Sequence, residues 1–399
     1  VKYVDQHIPK IPMRIRGLTD TSLYMIATTN WQPYTWSLNN VALAEQMHTA
    51  LSFWQSGQGE EAYRLWKSAL VESMYAGASP GNIQQLSFYD AIRGELYRDF
   101  ADGVGITSRA LVEGLFGIMP DALHDTLQIV PGFPQAWNHA SIHTPDVDFA
   151  FQRNGLADEY QIDHRISRAG KLRLSVAARF DGVERITVNG KEVKWNSDPD
   201  AVGRRILHVN TSEKGRVTIR IIWKGNEFMQ TGKALQFTAG DVLKLDQKYA
   251  VALKVYDPQK ALMRSTIHNG QLRVTVAPGD GRRTFFVQMK QGAFTAWMPV
   301  DFLVRPPLTL DAHRANESIY LQIQNNSGRE LTAHLSINGK LMEKFVLPAG
   351  IQQRKFSVSS TNWLSGTNLL RIESGKLSAS QLVTDWSYKN VAVKYEEVD

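Results

Sequence analysis

Val217-Thr218-Ile219-Arg220-Ile221-Ile222-Trp223 carries an apolar residue at every second position, the period of a strand whose alternate side chains enter a core. Leu172, Leu174 and Val176 repeat that spacing, as do Ile319, Leu321 and Ile323. Between such runs lie Asn189-Gly190, Asn269-Gly270 and Asn338-Gly339. Asn-Gly tolerates the positive φ angles of a type I′ turn, so each pair predicts a two-residue hairpin. Short alternating strands joined by such turns read as antiparallel β-sandwiches rather than a parallel sheet. Strand periodicity holds from about residue 124 onward, with boundaries expected near 124, at Gly225–Gly232 and at Pro306-Pro307.

The N-terminal third has a different period. Leu43, Met47, Leu51 and Trp54 follow helical spacing behind Ser37 and Asn40, both suited to cap a helix. Gly57-Gln58-Gly59 interrupts the pattern, and Ala62, Leu65, Trp66, Ala69 and Leu70 line a second helix ending near Gly77. The pair predicts an αα-hairpin. A last helix is expected from about Ser108 to Ile118, with Pro120 just beyond. So few helices with such broad apolar faces read as the end of a larger helical domain, and the start at Val1 as a fragment or a processed form.

At 399 residues the chain has room for about two or three domains. It contains no cysteine, which excludes disulfides, thiolate metal sites and a cysteine nucleophile. No apolar run reaches the ~18–20 residues of a spanning helix, so no transmembrane segment is expected. The net charge is +6, but residues 1–123 hold 9 basic and 12 acidic side chains, so the excess lies downstream. Those basic residues are scattered singly rather than gathered in a stripe, which argues against a nucleic-acid partner. No phosphate-binding, dinucleotide or nucleophile-elbow motif occurs, and no cofactor is expected. His139 and His143 have the spacing of a helical metal pair, but Pro145 and the strand pattern around them oppose a helix, and no metal is expected.

Two stretches carry the residue types of sugar chemistry. Thr28 to Asn40 holds Trp31, Tyr34, Trp36 and Asn40, flat rings and amides suited to the apolar faces and hydroxyl rims of sugars. The same rings would serve to pack the loop onto the helices. Phe88 to Gly103 holds Asp90, Glu95, Asp99 and Asp102 with Arg93 and Arg98, beside Tyr89. Glycoside hydrolysis needs two carboxyl groups across one bond, and an arginine neighbour would hold one ionised. A solvated face with ordinary ion pairs accounts for the pattern equally. Trp297, Trp363 and Trp386 are either a sugar platform or buried sandwich residues.

From Asp99-Phe100-Ala101-Asp102-Gly103 through Gly114-Leu115-Phe116-Gly117-Ile118 to Ile129-Val130-Pro131-Gly132-Phe133-Pro134 and Trp137, the sequence resembles the end of the (α/α)6 barrel in six-hairpin glycosidases. That superfamily includes α-L-rhamnosidases and large, secreted gut-bacterial relatives. The segment Thr284 to Gly292, with Trp297 and Pro299, resembles an accessory β-domain of the same proteins. The resemblance implies a multidomain α + β chain, with incomplete (α/α)6 barrel helices followed by antiparallel β-sandwich domains. Its expected parts are the last barrel hairpins (1–123), a β-sandwich (124–228), an accessory β-domain (229–305) and a C-terminal Ig-like sandwich (306–399).

By the same resemblance, Glu95 matches the catalytic base, with Asp102 and then Asp90 as alternatives, while Glu113 packs or pairs structurally. Trp31, Tyr34, Trp36, Asn40, Tyr89 and Arg93 would bind substrate. The implied protein is the C-terminal portion of a secreted, periplasmic or cell-surface bacterial glycoside hydrolase. Its partners would be an oligo- or polysaccharide and the missing N-terminal part, which supplies the acid. Two alternatives stand beside it. One is a polysaccharide lyase using Tyr89 with Arg93. The other is a non-catalytic carbohydrate-binding or scaffold protein.

Overall fold

The computed structural model describes residues 2–13, 17–27, 40–41, 43–76, 86–87, 101–167, 169–228, 235–245, 249–361 and 363–385. Strands make up 56% of the structure and helices 15%. Among the described residues the α-helices are α1 (Lys2–His7), α2 (Leu43–Gln55), α3 (Gly59–Val71) and α4 (Ala101–Arg109). Two compact units are present, residues 1–229 with 288–298, and residues 230–287 with 299–399.

The first unit is a β-sandwich with the helices packed on it. Its strands are β1 (Ile118–Asp121), β2 (Thr126–Ile129), β3 (His139–His143), β4 (Val147–Asn154), β5 (Ala157–His164), β6 (Lys171–Ala177), β7 (Phe180–Val188), β8 (Lys191–Glu192), β9 (Asn196–Ser197), β10 (Ile206–Thr211) and β11 (Arg216–Glu227). One sheet runs β9-β10-β6-β2-β1, the other β8-β7-β11-β5-β4-β3. The alternation seen in the sequence is the inward face of these sheets. Leu172, Leu174 and Val176 meet Val217, Ile219, Ile221 and Trp223 in one buried cluster. Burying each such side chain contributes about 1.5–3 kcal/mol. The Asn-Gly turn between β7 and β8 has φ of +49° and +80°, as a type I′ turn requires. The other two Asn-Gly pairs are hairpin turns with the same backbone signs.

The helical hairpin falls where helical spacing predicts it, but it belongs to no barrel. Among the described residues there is no (α/α)6 barrel, so the expected α + β fold class and the resemblance to six-hairpin glycosidases are both overturned. The physical reason lies in the core. Met47, Trp54, Leu65 and Ala69 share one buried cluster with Ile129, Phe149 and Ile219, so the sandwich covers the apolar helix face that barrel neighbours were expected to cover. The stretch Gly114 to Trp137 is the junction that makes this possible. Trp54 lies against Gly114 and Gly132, where an added Cβ would sit 2.3 Å from the indole at either position. The indole Nε1 also donates to the Gly132 carbonyl at 3.0 Å. After α4 the chain widens into a π-helical turn at Ala110–Leu115, carrying Gly114 past the ring.

A second buried polar anchor closes one end of the sandwich. The Asp158 carboxylate, 1% exposed, accepts from the Trp223 indole (2.9 Å), Arg153 Nε (2.8 Å) and an Arg179 terminal nitrogen (2.9 Å). Paired this fully, a buried carboxylate is tolerated in a core.

The second unit holds strand-only sheets. One antiparallel set is Leu308–Ala315, Ser318–Asn325 and Gly350–Ser357, and another is Lys340–Leu347, Leu331–Ile337, Gly366–Ser374 and Leu377–Asp385. Ile319, Leu321 and Ile323 meet Leu335, Ile337, Leu370 and Ile372 in a core of their own.

Replacing Gly114 with alanine drives a methyl into an enclosed indole and is expected to destabilise the first unit by about 1–3 kcal/mol. Urea unfolding of Gly114→Ala beside Gly105→Ala, where an added Cβ meets nothing, would check this. Equal stability of the two variants would contradict the packing argument.

Candidate functional site

Glu95, Asp90, Trp31, Tyr34, Trp36, Tyr89 and Arg93 lie outside the described residues. So do the side chains of Asn40 and Asp102. The backbone does show one relation between the two stretches: Asn40 pairs with Ser87 in a two-residue antiparallel ladder, so the end of the first stretch abuts the start of the second. Glu113 pairs with Arg109 one helical turn away, at 3.0 Å. Trp363 packs against the second unit's core, and Trp386 lies outside the described residues.

The site the geometry offers is the outer face of the six-stranded sheet. Strand alternation puts His139, Ser141 and His143 of β3 on that face, with Asp148, Ala150 and Gln152 of β4 and Glu159, Gln161 and Asp163 of β5. Register then sorts them into cross-strand rows. The first is His139–Gln152–Glu159–Arg220, the second Ser141–Ala150–Gln161–Thr218, and the third His143–Asp148–Asp163–Arg216. The middle row begins with two small side chains, and a trough forms over them. Two adjoining depressions, of about 210 and 250 Å3, share Ser141, Ala150 and Gln161.

Planar polar groups line the trough. Gln161 Nε2 donates to Glu159 at 3.0 Å, fixing an amide and a carboxylate side by side. Asp148 and Asp163 are direct register partners, an arrangement of like charges that needs a counter-ion. Arg165 supplies it, donating to Asp148 at 2.9 Å while its other nitrogens hold the Pro145 and Thr144 carbonyls. Arg165, and after it the hydrogen-bonded His143, hold the Asp148 carboxyl below the ordinary carboxylate range. Asp148 is thus an ionised hydrogen-bond acceptor near neutral pH and a poor proton donor.

His139 and His143 are not a metal pair. They stand four residues apart on a strand, about 13 Å along it. Among the described residues, no group of three or more His, Asp or Glu side chains is placed to hold a metal. What the spacing marked was the outer face of a strand. The fuller signal was available in the sequence: three successive strands whose outward positions are all polar or small.

On the outer face of the other sheet, Ser175 Oγ lies 2.7 Å from His208 Nδ1, with Asp198 3.9 Å from Nε2. Ser175 is only 6% exposed, and the pair is a cross-strand contact in register between β6 and β10. Burial lowers the His208 pKa, and the same cause lowers that of His164.

No family model matches the chain, and no curated protein does. Among solved structures, the chain is similar to a biofilm-associated protein BSP domain (9% identity, 62% of this chain and 65% of that one, TM-score 0.16). It is also similar to the Bacteroides ovatus mixed-linkage glucan utilization locus protein SGBP-B in complex with a mixed-linkage heptasaccharide (13% identity, 53% and 63%, TM-score 0.20). A third is the N-terminal four Ig domains of Dscam1 isoform 8.4 (11% identity, 65% and 83%, TM-score 0.18). The chain spans less than two thirds of the first two. Likeness at such TM-scores carries nothing about ligand or activity. No helix is long and apolar enough to cross a membrane among the described residues.

Because burial depresses the His208 and His164 pKa values, the folded state prefers their neutral forms. Their contribution is present above the unfolded value of about 6.5 and is lost as pH falls through the lower folded values. Urea midpoints are expected to drop between pH 7.5 and 5.5, and the drop to shrink in His208→Gln. A variant as pH-sensitive as the wild type would remove His208 from the linkage.

Proposed function

We propose that this chain is a non-catalytic glycan-binding protein of β-sandwich build, holding an oligosaccharide in the trough on the outer face of its six-stranded sheet. The single observation that carries this reading is the trough itself: a floor of Ser141 and Ala150 between rows of amide, carboxylate, imidazole and guanidinium groups set by strand register. Sugars present a dense rim of hydroxyls, and planar side chains that donate and accept at fixed spacing match that rim. A floor without large side chains lets a ring settle close to the backbone. Asp148, kept ionised by Arg165, suits hydroxyl binding better than acid catalysis. Under this reading the protein acts outside the cell or at its surface, where glycans are met.

The hydrolase reading is withdrawn with the barrel on which it rested. Charge at the trough is close to balanced: Glu159, Asp148 and Asp163 line it with Arg216, while Arg220 shares the Glu159 row and Arg165 neutralises Asp148. Charge therefore favours neither neutral sugars nor uronates.

Titration calorimetry against a panel of neutral and uronate-containing oligosaccharides tests the reading. Ala150→Trp fills the trough from a solvent-facing position and is expected to abolish binding with the fold intact by circular dichroism. Gln161→Ala is expected to weaken it about tenfold, equivalent to about 1.4 kcal/mol. Undiminished binding by Ala150→Trp would place the glycan elsewhere, and absence of binding across the panel would sink the proposal.

A further inference from the structure

Arg205, the residue just before β10, is 6% exposed. Its guanidinium carbon lies over the Phe228 ring, 4.5 Å from the centroid. The Nε atom is enclosed and has no acceptor. Burial depresses the Arg205 pKa with no charged group contributing, and the same holds for Arg204 beside it. Arg204 lies across the α2–α3 turn, its Cδ and Nε 2.7 Å from where a Cβ on Gly57 would sit.

Arg153 and Arg179 are also largely covered, and both are paired with Asp158. Among the described residues, no carboxylate forms such a pair with Arg205. Buried charges in proteins are paired or bind ions, because the desolvation cost is otherwise uncompensated. Only Nε of the guanidinium is both sealed and without a partner, so the terminal nitrogens retain an opening. A guanidinium stacked on an aromatic face keeps its N–H groups in its own plane, free to take two oxygens of one ligand group.

We propose that Arg205 forms the floor of an anion-binding site in the first unit, taking an oxyanion with at least two acceptor oxygens, such as a sulfate or phosphate group. Phe228 holds the guanidinium against its ring. The site lies on different residues from the glycan trough, and neither proposal depends on the other.

Thermal unfolding in sulfate against chloride at matched ionic strength tests it on the intact chain. The wild type is expected to show a saturable rise in Tm, on the order of 5 °C, as for any ligand that binds only the folded state. Arg205→Met should show no such rise, while Lys214→Met, which removes an exposed charge, should keep it. A wild type indifferent to sulfate, or an Arg205→Met variant that responds equally, would overturn the proposal. Should Arg205→Met fail to fold, wild-type crystals soaked in selenate give a direct reading. Anomalous density at the guanidinium is expected, and its absence at a saturating soak would count against the site. Glucose 6-sulfate in place of sulfate separates the sources: a rise with it assigns an ester-borne group, and a rise with inorganic sulfate alone assigns the free anion.

Discussion

The Trp54 indole, held between Gly114 and Gly132, is the contact on which the first unit depends. It is the largest apolar group of α2 at this junction, and it reaches the sandwich only because both neighbours lack a Cβ. Its N–H would be a buried orphan without the Gly132 carbonyl. Through this contact the helical hairpin and the β-sheets share one core rather than two. The π-helical turn at Ala110–Leu115 follows from the same demand, since the chain must carry Gly114 past the ring before entering β1.

One core has a consequence for the outer surface. With both sheets anchored on their inner faces, β3, β4 and β5 are free to carry polar side chains outward without loss of register. A shift by one residue would bring Phe149 and Ile162 out and Asp148 and Gln161 in, which the buried cluster forbids. The rows of the trough are therefore as well fixed as the core behind them. The charges on that face are fixed too, since Arg165 bridges Asp148 to the Thr144 and Pro145 carbonyls.

Much of this architecture is legible in the linear sequence. The alternation at Leu172–Val176, Val217–Trp223 and Ile319–Ile323 names residues that are all buried, and Asn-Gly pairs mark real hairpin turns. Local reading works there because side-chain period and turn chemistry are properties of neighbouring residues. The helices around Trp54 and Leu65 are equally local, and their positions follow from spacing. What covers them does not. A broad apolar helix face states that something packs on it, but not whether that partner is another helix or a sheet. The resemblance of the run from Asp99 to Trp137 to a barrel's end supplied the wrong partner. The candidate site was missed for a related reason: outward residues such as Ser141, Ala150 and Gln161 are unremarkable singly, and only register makes them neighbours.

By itself, then, the sequence determined the strands, their turns, the helical hairpin and the absence of cysteine chemistry, because each depends on residues adjacent in the chain. Tertiary structure alone decided that sandwich and helices share a core and that strand register gathers three rows about a trough. It also decided that Arg205 is buried over Phe228 while Arg153 and Arg179 share Asp158. Those are contacts between residues far apart in sequence, and their energies depend on desolvation and distance, which no linear pattern encodes.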